Sequence, residues 1–182
     1  MFSRFRDRQL KVLGCCVLLL AFAEPAYAQA TLKLSSSAFA PGSAIPKQYT
    51  CDGQDYSPAL TWTGVPAAAK TLALIVDDPD APMGTFVHWV VYNLPASVRQ
   101  LDQDVAKAPT IAGGGQQGRN GFGRDGYRGP CPPPGPTHHY HFRLYALDTS
   151  LKLGPGAGAA EVEAATKGHV LASAELVGTY SR

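Results

Sequence analysis

Residues 29–182 have few cysteines, no excess of positive charge and no long apolar segment. Residues 1–28 hold four of the 16 Lys and Arg and two of the 14 Asp and Glu, which leaves 12 of each in the rest of the chain. A nucleic-acid binder needs an excess of Lys and Arg to neutralise phosphates. We therefore expect no nucleic-acid partner. The length of residues 29–182 suits one domain with a buried core.

The N-terminus has the three parts of an export signal. Four basic residues precede an apolar run of 12 residues, and Ala26-Tyr27-Ala28 matches an A-x-A cleavage site. This run is shorter than the ~20 residues that span a bilayer. We therefore predict a cleaved signal peptide over residues 1–28, no stable membrane insertion, and an exported product, with periplasm or medium left open by the signal itself. Cys15 follows a loose lipoprotein cleavage box, but most of the apolar run comes after it, so a lipid anchor there is the alternative.

Two of the four cysteines leave with the signal peptide, and only Cys51 and Cys131 remain. Two thiols in an oxidising compartment suggest one disulfide. A bridge closing a loop of about 80 residues would stabilise the fold by at most about 4 to 5 kcal/mol in the chain-entropy model. The alternative is two separate buried thiols.

Beyond residue 30 the apolar residues mostly alternate or run continuously, which is typical of β-strands. Residues 71–76 form a nearly continuous apolar run and predict a strand buried on both faces. The other predicted strands are residues 31–34, 60–62, 86–94, 139–147 and 170–180. One helix is predicted over residues 159–167, with Gly168 as its C-cap. The pattern predicts a mainly antiparallel β domain with a short peripheral helix near the C-terminus.

A long loop separates the predicted strands at residues 86–94 and 139–147. Residues 109–136 contain nine glycines and six prolines, and the aromatic residues Phe122 and Tyr127 indicate a packed, functional loop. Gly113-Gly114-Gly115 lacks the Lys-Ser/Thr of a P-loop. We therefore expect neither a nucleotide site nor a cofactor.

Four of the five histidines and three of the ten aspartates lie within residues 77–90 and 138–142. Side chains alternate along a strand. This alternation predicts that residues 86, 88, 90 and 92 share one face, as do residues 138, 140, 142 and 144. Together with Asp78, these faces predict one polar pocket lined by histidine.

These residues resemble the signature regions of the phosphatidylethanolamine-binding proteins. The resemblance rests on Asp78-Pro79-Asp80-Ala81-Pro82 with His88 after it, and on Gly129-Pro130 followed by His138-x-Tyr140. Residues 45–62 and 126–133 are similar to the bacterial, Raf kinase inhibitor-like branch, a resemblance that implies the periplasm as the destination of the exported product. The resemblance covers residues 31–181. It implies a Greek-key β-sandwich over residues 29–182 with a small cavity for phosphate-like anions, such as a phospholipid head group.

The resemblance also implies a set of ligand-binding residues, among which we expect no catalytic residue and no metal ligand. The set is Asp78, Pro82, Phe86, His88, Gly129, Pro130, His138 and Tyr140. Phe86 stands where many members have tryptophan, and Gly121 where this branch usually has aspartate. Cysteines occur at the positions of Cys51 and Cys131 even in cytoplasmic members, so the pair does not require an oxidising compartment.

The chemistry of this set suits an anion. A phosphate oxygen can accept hydrogen bonds from the His88 and His138 imidazoles, the Tyr140 hydroxyl and loop N–H groups, and histidine gains charge in mild acid. Asp78 is expected to accept a proton from a histidine, or from a monoprotonated phosphate, or to cap the turn before Pro79. We interpret Asp77 and Asp80 as groups that support turns or the fold.

We expect an exported, non-enzymatic binding protein for a small anionic or phosphorylated ligand, which could also modulate a protein partner. The alternative is an inhibitor of a kinase or protease that acts through the loop of residues 109–136. Homodimers are a habit of similar proteins, but no pattern here specifies one, and the oligomeric state stays open.

Three enzyme or metal sites fit the sequence less well. His138-His139-x-His141 resembles a cupin-like metal cluster, but alternation turns His138 away from the other two histidines. Asp78 and Asp80 are too close to a rigid proline turn to flank a glycosidic bond. Ser57 lacks the Gly-x-Ser-x-Gly context of a nucleophile.

Overall fold

The computed structural model describes residues 31–182, so the predicted signal peptide and the Cys15 alternative lie outside the described residues. Within this range the chain is mainly β, with one short α-helix. The elements are β1 (Lys33–Ser36), β2 (Leu60–Thr63), β3 (Thr71–Asp78), β4 (Phe86–Pro95), β5 (Gln100–Leu101), β6 (Gln116–Gln117), β7 (His138–Leu147), α1 (Ala159–Thr166) and β8 (Val170–Tyr180), with a 3-10 turn at Lys47–Tyr49. Over residues 31–182, no helix has the length and apolarity that crossing a membrane requires.

The strands form two antiparallel sheets that enclose the main core. The smaller sheet has the order β1-β2-β5 and the larger has the order β6-β4-β3-β7-β8. Leu34 and Trp62 of the smaller sheet belong to the same buried cluster as Val76, Trp89 and Phe142 of the larger one. The two sheets therefore pack face to face, as in a β-sandwich.

The central strand β3 is buried on both faces, as its continuous apolar run predicts. All eight of its residues are buried. On the face away from the smaller sheet, Ile75 packs in a second cluster with Val90, Tyr92 and Val162 of α1. Helix α1 covers this outer face, because Val162 is fully buried there.

The predicted elements agree closely with the observed ones. The three longest predicted strands correspond to β4, β7 and β8 within one residue at each end. The predicted helix also forms, and its first turn is closed by a hydrogen bond from the Gly158 N–H to Glu161 Oε2 at 2.9 Å. The chain leaves the helix through Gly168, whose φ of +80° is the left-handed conformation typical of a helix C-terminus. The two-residue strands β5 and β6 were not predicted.

The predicted facing of β4 is wrong beyond His88. Val76 pairs with Trp89, but the next residue, Asp77, pairs with Val87, so one extra residue of β4 is inserted at this point. Such a β-bulge shifts the alternation of side chains by one. Val90 and Tyr92 therefore face the α1 side, whereas His88 contacts the Tyr140 ring on the inner side. On β7 the predicted facing is right, since residues 140, 142 and 144 all belong to the inner core.

Candidate ligand-binding site

A cavity of about 230 Å³ lies at one end of the larger sheet. Strand β3 ends at Asp78, while β4 begins at Phe86 and β7 begins at His138. Because β3 is antiparallel to both neighbours, these three ends meet at the same edge. The cavity is lined by Asp78, Ala81, Pro82, Phe86, His88, Phe122, Cys131, Pro132, Pro133 and His138. Five of the eight predicted ligand-binding residues are among them.

His88 lines the cavity as a neutral imidazole whose orientation is held by the loop. Its Nδ1 lies 2.7 Å from the carbonyl oxygen of Arg128, and because a carbonyl can only accept, Nδ1 carries the proton. Burial lowers the pKa of His88 below its usual value, since it disfavours the charged form. Nε2 of neutral His88 therefore has a lone pair and no proton. It becomes a donor to an anion only when the ring is protonated.

His138 is oriented by Asp78. Its Nδ1 donates to Asp78 Oδ2 at 2.7 Å, and both side chains are buried. The other carboxylate oxygen, Oδ1, accepts from the Asp80 N–H at 2.9 Å. Asp78 thus holds the tautomer of His138 and also caps the turn after β3, so the two roles weighed for it from the sequence coexist. With Nδ1 occupied, Nε2 is the His138 atom that is left for a ligand.

Tyr140 stands behind the histidines with an unused hydroxyl. The residue is 1% exposed, and its hydroxyl oxygen has no hydrogen-bond partner among the described residues. Its ring meets the His88 ring edge-on, with 5.2 Å between the centroids. Burial, followed by the nearby Asp78 charge, raises the pKa of Tyr140, so the hydroxyl keeps its proton. A buried polar group without a partner is costly, and a bound ligand or water would satisfy this one.

Gly129 and Pro130 support the cavity wall but do not line it. The Gly129 N–H donates to Asp55 Oδ1 at 2.7 Å, and the Pro130 carbonyl accepts from the Cys51 N–H at 3.0 Å. These backbone groups are occupied within the protein, so the Gly129 N–H is not free to donate to a ligand. The wall itself consists of the next residues, 131–133.

Cys51 and Cys131 are joined in a disulfide that links residues 80 positions apart. Cys131 lines the cavity and is exposed, whereas Cys51 is partly buried. The bridge therefore ties the cavity wall to the segment that follows the 3-10 turn.

Aromatic rings form the apolar side of the cavity. Phe86 meets the rings of Phe122 and His88 edge-on, with centroids 4.8 Å and 5.4 Å away. Gly121 allows this arrangement, because a Cβ atom there would lie 2.6 Å from Phe86 Cζ. The glycine that replaces the aspartate usual in this branch is thus the residue against which Phe86 packs.

The remaining histidines and aspartates of the two segments point elsewhere. His139 Nδ1 pairs with Asp80 at 2.7 Å on the exposed surface, and this hydrogen bond lowers the pKa of Asp80. His141 pairs with Glu175, and Asp77 pairs with Arg143. Each histidine of the triplet thus has its own carboxylate partner. Within residues 31–182, no group of three or more His, Cys, Asp or Glu side chains has a metal-binding arrangement.

Two supporting residues were missed by the sequence analysis. Asp55, 8% exposed, accepts from Gly129 and pairs with Lys107 at 2.6 Å and Arg128 at 3.1 Å. Asn120 closes the turn that carries Phe122, since its Oδ1 accepts from the Phe122 N–H at 2.9 Å. No local pattern separates Asp55 from an ordinary loop carboxylate. Asn120, which is followed by Gly121, is a common turn residue and could have been noticed.

Comparison with known proteins agrees with this geometry. The family model of the phosphatidylethanolamine-binding proteins matches residues 35–181. The chain belongs to this family. The crystal structure of Escherichia coli YbcL, described as a new member of the mammalian PEBP family, aligns with a TM-score of 0.77 at 34% identity and covers 84% of this chain and 99% of its own. The predicted family and its fold are therefore confirmed.

Two relatives by sequence extend the comparison. A UPF0098 protein of Methanothermobacter thermautotrophicus is 51% identical over 151 residues, which are 83% of this chain and 99% of the relative. "Putative lipoprotein LppC" of Mycobacterium tuberculosis is 45% identical over 158 residues, which are 86% of this chain and 75% of the relative. The second name is a hint of export within the family.

Proposed function

We propose that this member of the phosphatidylethanolamine-binding protein family is a non-enzymatic binding protein whose cavity takes a small anionic or phosphorylated ligand. The observation that carries the proposal is the convergence of His88, His138 and Tyr140 beside one cavity. Each histidine uses Nδ1 within the protein and keeps Nε2 without a protein partner, and the buried Tyr140 hydroxyl has none either among residues 31–182. The two Nε2 atoms are therefore available to one guest, whereas Tyr140 is not among the residues lining the cavity and contacts the His88 ring.

The charges at the site limit how an anion can bind. Asp78 accepts from His138, and Asp80 accepts from His139, so both carboxylates are engaged by protein donors. No Lys or Arg is among the residues lining the cavity. Positive charge for a dianion must therefore come from histidine protonation, or a monoprotonated phosphate must bring its own proton.

The rim of the cavity suits an amphipathic ligand. Met83, next to the cavity residue Pro82, is fully exposed, and Phe122 in the cavity wall is 41% exposed. An apolar rim beside polar atoms can contact the glycerol and acyl part of a lipid whose phosphate enters the cavity. The name of the family supports a phospholipid head group as the natural guest.

The test is to titrate the purified protein with phosphate, phosphoethanolamine and acetate and to measure binding by calorimetry. We expect the two phosphates to bind and His138→Asn to weaken them by about tenfold, the value of one hydrogen bond to a charged group. His139→Asn is the matched control, because His139 is exposed and pairs outside the cavity. Absence of binding by all three ligands at millimolar concentration would reject the proposal.

A second candidate is inhibition of a kinase or protease through the loop of residues 109–136. Phe122 of this loop and Met83, which lies outside the loop but follows the cavity residue Pro82, expose large apolar side chains at the same rim, and such groups often mark protein contacts. Met83→Ser should then abolish inhibition of a responsive enzyme while leaving phosphate affinity unchanged. Equal inhibition by Met83→Ser and the unmodified protein would count against this candidate.

We also propose that the protein acts in the periplasm. The export signal in the sequence and the lipoprotein name of the Mycobacterium relative support this destination. The mass of the mature N-terminus distinguishes the two routes, because signal cleavage alone leaves Gln29 first, whereas a lipoprotein would begin at a lipid-modified Cys15. Recovery of the uncleaved chain from the cytoplasm would overturn export by either route.

A further inference from the structure

A second cavity, of about 390 Å³, opens beside the loop that carries Phe122. It shares no lining residue with the histidine cavity. One residue from each cavity meets between them: the Arg128 guanidinium of the second cavity lies 5.5 Å from the centre of the Phe122 ring of the histidine cavity. We call it the arginine cavity, after Arg119, Arg124 and Arg128, which line it with Lys107.

The arginine cavity has the positive charge that the histidine cavity lacks. Four basic side chains line it against a single lining acid, Asp125, and the buried Asp55 lies beneath two of them. Asp55 neutralises part of the positive charge of Lys107 and Arg128, because its Oδ2 lies 2.6 Å from Lys107 Nζ and 3.1 Å from the Arg128 guanidinium. Four basic groups against two acids leave an excess of two positive charges. Among residues 31–182, Arg119 and Arg124 take part in no ion pair, and both are exposed.

The backbone that carries the two free arginines is held in place before any ligand arrives. Asn120, 6% exposed, donates from Nδ2 to the Gly126 carbonyl at 2.9 Å and accepts at Oδ1 from the Arg124 N–H at 3.3 Å. The Asn120 N–H in turn donates to the Arg124 carbonyl at 2.9 Å. Arg119 and Arg124 therefore flank one small, closed turn, and holding it costs a ligand little ordering entropy.

We propose that the arginine cavity is a second anion site, for a small organic dianion such as a phosphate monoester or a dicarboxylate. The guanidinium fork matches the oxygens of both groups, and the excess of two positive charges matches a dianion. The cavity has room for an organic part beyond the oxyanion itself. Because arginine stays protonated, the arginine cavity keeps its positive charge at about pH 8, whereas the histidine cavity gains positive charge only when a histidine is protonated. The inference is independent of the function proposed for the histidine cavity.

The test is a titration of the purified protein at about pH 8, where a histidine is neutral, with glycerol 3-phosphate, succinate and chloride at matched ionic strength. Backbone amide signals of Gly123 and Gly126 report on the arginine cavity, and those of His88 and His138 report on the other. We expect saturable shifts at the two glycines with at least one organic dianion and none with chloride. The dianion that binds with the higher affinity identifies the preferred oxyanion, phosphate or carboxylate.

The variants make the assignment specific. Arg119→Gln and Arg124→Gln should each weaken binding by about tenfold or more, the value of a hydrogen bond between charged groups. Arg119→Lys, which keeps the charge but loses the fork, should weaken it less. Arg99→Gln is the matched control, because Arg99 hydrogen-bonds backbone carbonyls near its own position and lines neither cavity. Shifts that do not saturate, or equal weakening by Arg99→Gln, would overturn the second site. His138→Asn should leave it unchanged.

Discussion

Sulfate should bind the histidine cavity more tightly as the pH falls from about 8 to about 5, the interval in which histidine titrates. Sulfate keeps its double charge throughout this interval, so any change in affinity comes from the protein. His88 is neutral at the upper end, because burial lowers its pKa, and its Nε2 then offers no proton. Protonation supplies both a donor and a positive charge where the cavity has no Lys or Arg lining it.

The size of the effect follows from the charges. Two unit charges 4 Å apart attract by on the order of 4 kcal/mol at an effective dielectric constant of about 20, which is a shift of about three pKa units. Bound sulfate should thus raise the pKa of His88 well above its value in the free protein. Between these two pKa values one proton is taken up with each sulfate, and affinity rises by about tenfold per pH unit.

The measurement uses the amide signals of His88 and His138, which separate this cavity from the arginine cavity. His88→Gln should remove most of the pH dependence, while the exposed His139→Gln should keep it. Unfolding by urea at each pH checks that His88→Gln is still folded. The reasoning is refuted if sulfate affinity at these signals is constant with pH, or if it follows the same slope in His88→Gln.

Three further predictions concern stability and the cavity wall. Replacing Cys51 and Cys131 together by serine should lower the free energy of unfolding by up to about 4 to 5 kcal/mol, as expected for a loop of this length; a loss near zero in urea unfolding would contradict a role for the bridge. Asn120→Ala should lower the free energy of unfolding by about 1 to 3 kcal/mol, because buried backbone groups lose their partner; an unchanged midpoint of urea unfolding would contradict this role. Gly121→Ala should displace the Phe86 ring, since the new Cβ would overlap it, and should weaken phosphate binding; unaltered binding would mean that the ring position is not needed.

The strands and the helix could be predicted because their signals are local. The continuous apolar run of residues 71–76 indicated a strand buried on both faces, and β3 is buried along its whole length. Strands β5 and β6 were not found, because two residues are too few to show a period. Their pairing is decided by neighbours, with β5 against β2 and β6 against β4.

The site was predicted in part, and the errors have physical causes. His88 and His138 were expected to share a pocket, and both line one cavity. The facing of Val90 and Tyr92 was wrong because a bulge depends on how β4 pairs with β3, which no sequence period records. Gly129 was assigned to the ligand, but its N–H is occupied by Asp55, a residue 74 positions away in the chain.

The sequence by itself determined the positions of the longer strands and of the helix, the pair of histidine-rich segments and the family, because hydrophobic period and ordered motifs are properties of neighbouring residues. The tertiary structure alone decided which atoms remain for a ligand. Three groups have partners that are distant in sequence: His88 Nδ1, the Gly129 N–H and Asp78 Oδ2. The other Asp78 oxygen, Oδ1, accepts from the nearby Asp80 N–H. A hydrogen bond depends on distances of about 3 Å between folded elements, and only the packing of the sheets sets those distances.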